Sequence, residues 1–409
     1  MQYRITAPTD IDVTIELPSS KSISNRALIL HALSGGKCKP QNLSNCDDTR
    51  VMLKALEGSS THIDILAAGT AMRFLTAYLS VTPGTRIISG TARMHQRPIK
   101  ILVDALRQLG AEIEYVKEEG FPPLKITGTQ LHSKEVFLPG SVSSQYISAL
   151  LMIGPVMPDG LMLHLTGEII SRPYINLTLQ LMKDFGAKAM WATENSIVVY
   201  PGGYQDVSFH VESDWSAASY WHQIAALCPQ KTEITLTGLH VGSHQGDSRG
   251  AEVFKRLGIN TEFTSEGLTL SKDICTITQL DEDFTDIPDL AQTFVVTCAL
   301  LDIPFRFTGL QSLRIKETDR ISALICELRK LGYVLHAEQD SILYWDGEHC
   351  TPESNPVIAT YEDHRMAMAF APVSIIKPHI SIADPSVVSK SYPDYWKHLQ
   401  QAGFIIEEE

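Results

Sequence analysis

Cations and hydroxyls alternating at the start of an apolar helix make a site for an anion. Residues 17–30, Leu-Pro-Ser-Ser-Lys-Ser-Ile-Ser-Asn-Arg-Ala-Leu-Ile-Leu, have that pattern. Ile23, Ala27 and Leu30 recur at helical spacing and form one buried stripe. Ser20, Ser22 and Ser24 place hydroxyls where a helix start leaves backbone N–H groups without acceptors. Lys21 and Arg26 add positive charge at that end, which suits a phosphate or a carboxylate. A serine-capped surface helix with two solvated cations has the same pattern, so this stretch alone leaves both readings open.

Comparable groups recur. Gly69 and Thr70 precede an apolar helix carrying Arg73, and Gly69 lets a ligand approach the backbone. Arg93 and Arg97 stand ahead of Pro98, which suits a first helical turn, and two arginines suit a doubly charged phosphate. Ser143-Ser144-Gln145 and Ser171-Arg172-Pro173-Tyr174 each precede a helical stripe, and each alone reads as a cap. Further on, Lys316-Glu317-Thr318-Asp319-Arg320 leads into the stripe Ile321, Leu324, Ile325, Leu328. Asp289 sits at a helix entrance, where it is a base or a cap. His364, in Asp363-His364-Arg365, and Lys390, in Ser389-Lys390-Ser391, read alone as a structural histidine and a surface lysine. No G-x-G-x-x-G, Walker lysine loop or H-E-x-x-H is present, so neither a metal nor a nucleotide cofactor is expected.

The elements that position these groups follow from a repeat. An amphipathic helix ends in glycine and a strand follows: 51–58 before 62–66, 101–110 before 111–116, and 178–186 before 187–192. The pattern continues as 252–258 before 259–263, 321–332 before 333–336, and 395–403 before 404–406. Each glycine suits the left-handed position that closes a helix. Most copies lie roughly 70 residues apart, too long for a solenoid, so each unit should carry several strands and a second helix. The expected fold is α/β, with two similar domains of three βα-rich units each. The chain has 409 residues, which also favours two domains, and its net charge of −13 argues against nucleic acid. The seven cysteines are scattered with no C-x-x-C pair, as for reduced thiols in a cytoplasm. Neither a signal peptide nor a membrane span is expected: residues 1–8 lack an apolar core, and the most apolar run, 146–157, is broken by Gly154-Pro155.

Taken together, the motifs resemble those of the 3-phosphoshikimate 1-carboxyvinyltransferase (EPSP synthase) family over essentially the whole chain. Residues 17–30 are similar to its L-P-G-S-K-S-x-S-N-R-A-L signature. Ala68-Gly69-Thr70, Arg93-Met94 with Arg97-Pro98, Ser143-Ser144-Gln145, Ser171 to Tyr174, Pro288-Asp289, Lys316 to Arg320, Asp363 to Arg365 and Lys390 to Tyr395 follow in order. The resemblance implies the inside-out α/β barrel of the enolpyruvyl transferases. Residues 1–19 with 214–409 would form a discontinuous domain carrying the catalytic residues, and 20–213 a domain binding shikimate 3-phosphate. The two domains would close on substrate. The implied reaction moves the enolpyruvyl group of phosphoenolpyruvate to the 5-hydroxyl of shikimate 3-phosphate and releases phosphate.

By the same resemblance, Lys21, Ser22, Arg26, Ser143, Ser144, Gln145, Ser171, Tyr174, Asp289 and Lys316 would hold shikimate 3-phosphate. Lys21, Gly69, Arg93, Gln145, Arg320, Arg365 and Lys390 would hold phosphoenolpyruvate. Glu317 would be the acid and Asp289 the base, with Lys21 and His364 among the catalytic groups. The expected partners are these two small molecules alone, with no cofactor, and the expected state is a monomer. Three departures stand out: Ser19 for glycine, Leu66-Ala67 for Gly-Asn, and Ser312 for asparagine. The alternatives are the transferase acting on UDP-N-acetylglucosamine and a non-catalytic anion-binding protein of the same fold. The first usually carries a reactive loop cysteine, and none lies between Cys46 and Cys228.

Overall fold

Among the described residues, six helices are buried along most of their length, and such helices belong in a core. In a computed structural model, which describes residues 1–132, 134–229 and 232–409, the chain divides into two units. One unit is Met1–Pro18 with Ser213–Glu409; the other is Ser19–Glu212. The boundaries fall one residue before those expected from the sequence. Each unit encloses three of the six helices. In Ser19–Glu212 these are Lys21–Ser34, Gly69–Val81 and Ser144–Ile153, packed on one another. In the other unit Trp215–Leu227 and His364–Phe370 both pack on Ala291–Leu300, every residue of which is buried. Each unit has its own continuous apolar cluster. A fully buried Leu, Ile or Phe contributes about 1.5–3 kcal/mol.

Four-stranded sheets repeat one plan: strand, buried helix, parallel strand, amphipathic helix, hairpin. The hairpin's second strand pairs antiparallel with the second strand of the plan, and its first strand takes the edge. Among the described residues, Ser19–Glu212 completes this plan twice. One sheet uses His62–Asp64, Gly84–Ser89, Glu112–Tyr115 and Leu124–Gly128. The other uses Glu135–Pro139, Leu161–Thr166, Ala189–Thr193 and Ser196–Val199. Burial along Leu161–Thr166 alternates, as expected of a strand with one face on the core.

The discontinuous unit completes the plan three times. Leu280–Asp283, Phe305–Thr308, His336–Glu338 and Ile342–Trp345 form one sheet in sequence order. In the second, Ile11–Glu16 pairs in parallel with Thr232–Thr237, and the whole of Ser19–Glu212 is inserted before the helix that joins them. In the third, Gln2–Thr6 lies between Ile380–Ala383 and Ile405–Glu408.

Five of the six glycines that end a helix in the repeat have φ between 81° and 101°, each just before an edge strand. Gly58 does not: its φ is −81°. The sixth repeat keeps its two helices, Lys21–Ser34 and Asp47–Glu57, and one parallel bridge between Gln41 and His210. It forms no hairpin among the described residues, because the chain runs from Gly58 straight to the first strand of the next sheet. With no reversal to make, the left-handed conformation is not needed.

At Gly332, φ is 99° and a Cβ would stand 3.1 Å from the Cys350 carbonyl oxygen. Gly332→Ala is expected to lower stability by about 1–2 kcal/mol, measured by denaturant unfolding. An unchanged midpoint would show that the hairpin does not depend on this backbone conformation.

Candidate active site

In the discontinuous unit, three helix starts bring their side chains together around Arg320. Asp319 caps the helix Arg320–Lys330 by accepting from the Ser322 N–H (3.1 Å), which fixes where Arg320 leaves the backbone. The Arg320 side chain is only 2% exposed. Its Nε and Nη2 donate to the two oxygens of Asp363, at 2.7 and 3.3 Å, and the Asp363 side chain is fully buried. Nη1 donates to Asp289 (3.2 Å) and Nη2 to Glu317 (3.0 Å). Asp363 also caps the helix His364–Phe370, accepting from the Arg365 N–H at 2.9 Å.

Three more cations complete the cluster. Arg365 Nη2 lies 3.0 Å and Lys316 Nζ 3.3 Å from Asp289, and Lys390 Nζ lies 3.1 Å from Glu317. Burial would push the Asp289 carboxyl up, but Arg365, Lys316 and Arg320 together hold it well below the usual carboxylate range, against Glu317. Asp289 is therefore ionised. Its side chain stays 20% exposed and that of Glu317 15%, so both remain reachable. His364 is 1% exposed, with Nδ1 3.7 Å from Asp363 Oδ1. The ring is packed inside, next to the carboxylate that holds Arg320.

In Ser19–Glu212 the starts of three buried helices converge in the same way. Ser20 caps Lys21–Ser34 by accepting from the Ile23 N–H (3.4 Å). Ser143 caps Ser144–Ile153, and Gln145 Nε2 donates to Thr70 Oγ1 (3.3 Å), tying that helix to the one from Gly69. Ser144 is buried. Converging helix starts focus positive potential on one place. Lys21 lies 3.9 Å from Asp48, with a side chain 16% exposed. Arg73 Nη1 donates to the Gly69 carbonyl at 2.9 Å.

Several expectations change here. A Cβ on Gly69 would stand 2.6 Å from Arg97 Nη1, so Arg97 lies against that glycine. Arg93 is exposed and donates to Gln96 Oε1 (3.3 Å). Arg97, which the sequence reading paired with Arg93 but did not assign to a substrate, is thus the arginine brought to Gly69. Arg26 does not join Lys21 in an exposed cationic end. Its guanidinium donates to Thr178 Oγ1 (2.7 Å), the Ser22 carbonyl (2.9 Å) and Ser148 Oγ (3.2 Å). Burial pulls it down to about 10, which leaves it charged. Ser24 Oγ accepts from the Ser44 N–H rather than capping its helix. Ser171 is no side-chain cap either: it is buried in the left-handed region, φ 55°, an uncommon position for serine, just ahead of Tyr174. Leu66 is left-handed as well (φ 52°), its N–H donating to Asp64 and its carbonyl accepting from the Thr91 N–H. Ser312 Oγ is buried with no hydrogen-bond partner among the described residues.

The fold is shared with solved enolpyruvyl transferases. An EPSP synthase from Acinetobacter baumannii superimposes with a TM-score of 0.77 at 22% identity, over 100% of both chains. The enolpyruvyl transferase NikO from Streptomyces tendae does so with a TM-score of 0.73 at 14% identity, over 99% of this chain and 98% of that one. The sequence is more specific. The family model described as EPSP synthase (3-phosphoshikimate 1-carboxyvinyltransferase) matches residues 5–59 and 56–399. A protein of Bacteroides fragilis named 3-phosphoshikimate 1-carboxyvinyltransferase is 67% identical over 407 residues, 100% of this chain and 99% of that one. One of the same name from Vibrio vulnificus is 37% identical over 414 residues, 94% of this chain and 95% of that one. The chain belongs to the EPSP synthase family and is an enzyme. No helix among the described residues is long and apolar enough to cross a membrane.

Removing one partner of a buried ion pair leaves a charge uncompensated. Asp363→Ala is expected to cost about 3–5 kcal/mol in urea unfolding, or to prevent folding. A loss below about 1 kcal/mol would mean that Arg320 is held by its other partners.

Proposed function

We propose that this enzyme transfers the enolpyruvyl group of phosphoenolpyruvate to the 5-hydroxyl of shikimate 3-phosphate, giving 5-enolpyruvylshikimate 3-phosphate and inorganic phosphate. The observation that carries the reading is the pairing of two reachable carboxylates, Asp289 and Glu317, with cations that an anionic substrate can take over. Family membership supports it.

The chemistry asks for these groups. The enol carbon of phosphoenolpyruvate becomes electrophilic only when its methylene is protonated. The attacking hydroxyl must give up its proton as the new C–O bond forms. The resulting adduct then loses a proton from its methyl group while the bond to phosphate breaks. Glu317 is the acid toward the methylene and Asp289 the base toward the hydroxyl. With three cations on it, Asp289 is a weak base; when substrate oxygens draw Lys316 and Arg365 away, its proton affinity rises. Arg97, Arg320, Arg365 and Lys390, with Gly69 and Gln145, hold phosphoenolpyruvate and stabilise the charge that moves onto the leaving phosphate. Lys21, Ser22, Ser143, Ser144, Ser171, Tyr174 and Lys316 hold shikimate 3-phosphate. Arg26 supports them from inside the helix layer, and Lys21 is shared by both substrates. These local cations attract anions despite the net charge of −13.

Mixing the protein with both substrates should release inorganic phosphate, dependent on each. Absence of release would overturn the reading. Glu317→Gln and Asp289→Asn should each lower turnover by about 10²–10⁴. Near-normal turnover in either variant would remove that residue from the mechanism.

A further inference from the structure

Just ahead of Asp363 stand two consecutive left-handed residues that the mechanism above does not explain. Tyr361 has φ 55° and Glu362 φ 56°, and neither is glycine. A side chain disfavours that conformation, and the L-residues that adopt it mostly do so singly. Such strain persists only where the surroundings enforce it. Glu362 is exposed, and the Asp363 N–H donates to the Thr360 carbonyl (2.8 Å), which closes the turn. The turn delivers Asp363 to Arg320 and sets the start of the helix His364–Phe370, which carries Arg365.

One carboxylate spans this turn. Glu327 is fully buried on the helix Arg320–Lys330, about two turns along from Arg320. Its Oε1 accepts from the Tyr361 hydroxyl (2.6 Å) and its Oε2 from the Ala359 N–H (3.0 Å). Lys330 Nζ donates to the same Oε2 (2.6 Å) and to the Val357 carbonyl (2.9 Å). Cys326, next to Glu327, is a further neighbour of the Tyr361 hydroxyl. The segment is thus pinned to that helix at Val357, Ala359 and Tyr361, and again where Asp363 holds Arg320. These contacts close a ring that runs from Arg320 along its helix to Glu327, across to Tyr361, and through Asp363 back to Arg320.

We propose that the hydrogen bond from Tyr361 to Glu327 holds the left-handed pair in place and so fixes Arg365 relative to Arg320. The inference rests on the reading of those two arginines as phosphoenolpyruvate cations. Tyr361 and Glu327 act through them and are positioning residues. Without the hydroxyl, Tyr361 and Glu362 can relax toward the ordinary range of φ. Asp363 and Arg365 follow them in the chain, so the spacing of the two guanidiniums changes. The effect should fall on phosphoenolpyruvate, because every group proposed to hold shikimate 3-phosphate except Lys316 lies in Ser19–Glu212. Glycine adopts a positive φ without strain, so Glu362→Gly should compensate for the lost hydroxyl.

The test is the KM for each substrate, with the other saturating, in the wild type, Tyr361→Phe and the double variant Tyr361→Phe with Glu362→Gly. Tyr361→Phe should raise the KM for phosphoenolpyruvate about tenfold and change that for shikimate 3-phosphate by less than about twofold, since misplacing a binding group costs part of what removing it would. The double variant should bring the phosphoenolpyruvate KM back to within about threefold of the wild type. A variant that is merely less stable has fewer active molecules, which lowers the apparent kcat and leaves both KM values alone. An unchanged phosphoenolpyruvate KM, an equal rise in both KM values, or no recovery in the double variant would each overturn the inference. If Tyr361→Phe does not fold, glycine at 362 should restore folding with a near-wild-type KM, and a double variant that also fails to fold overturns the inference. A wild type that releases no phosphate would overturn the proposed function, and this inference with it.

Discussion

The site in the discontinuous unit depends on keeping one guanidinium, that of Arg320, out of water. Burying a charge is costly unless its hydrogen-bonding capacity is met. Asp363 accepts from its Nε and Nη2 from a fully buried position while capping the helix that carries Arg365. Two helices are thereby locked together through one ion pair, and Asp289 and Glu317 take the rest of the guanidinium. The result is a cation cluster that does not repel itself, because carboxylates already occupy it. On the proposed function, substrate binding is an exchange of one set of anions for another. A neutral or weakly charged molecule cannot drive that exchange, so selection for anions follows from the resting state itself.

Much of this was legible in the sequence. The helix starts that carry Ser20, Gly69, Ser143, Asp289, Arg320 and Asp363 were readable as hydroxyls, glycines and charges before apolar stripes, and they became recognisable once taken together. The repeat was readable because a helix that reverses into an edge strand needs a left-handed residue, and glycine supplies it. The same rule misled at Gly58, where the hairpin is missing and the glycine only ends a helix.

What the sequence hid was direction. Arg26 and Lys21 share a helix start, but the acceptors that turn Arg26 inward, Ser148 and Thr178, lie 122 and 152 residues further on. No local pattern carries that information. Arg93 and Arg97 flank a short helical turn whose orientation is set by tertiary packing, so spacing could not choose between them.

The placement of Gln2–Thr6 between Ile380–Ala383 and Ile405–Glu408 bears on how the molecule is made. The unit Ser19–Glu212 is continuous and has all its strands once residue 212 has left the ribosome. The other unit must hold two strands in waiting: Ile11–Glu16 until Thr232–Thr237 is synthesised, and Gln2–Thr6 until residues past 380 appear. For most of synthesis those strands have unpaired edges, and Ile5, fully buried in the finished fold, has no core to enter. Domains form as units as the chain emerges, and pairings of long sequence separation form slowly. The unit that buries Arg320 is therefore the later of the two to form, and its exposed early strands are where a nascent chain would first require protection.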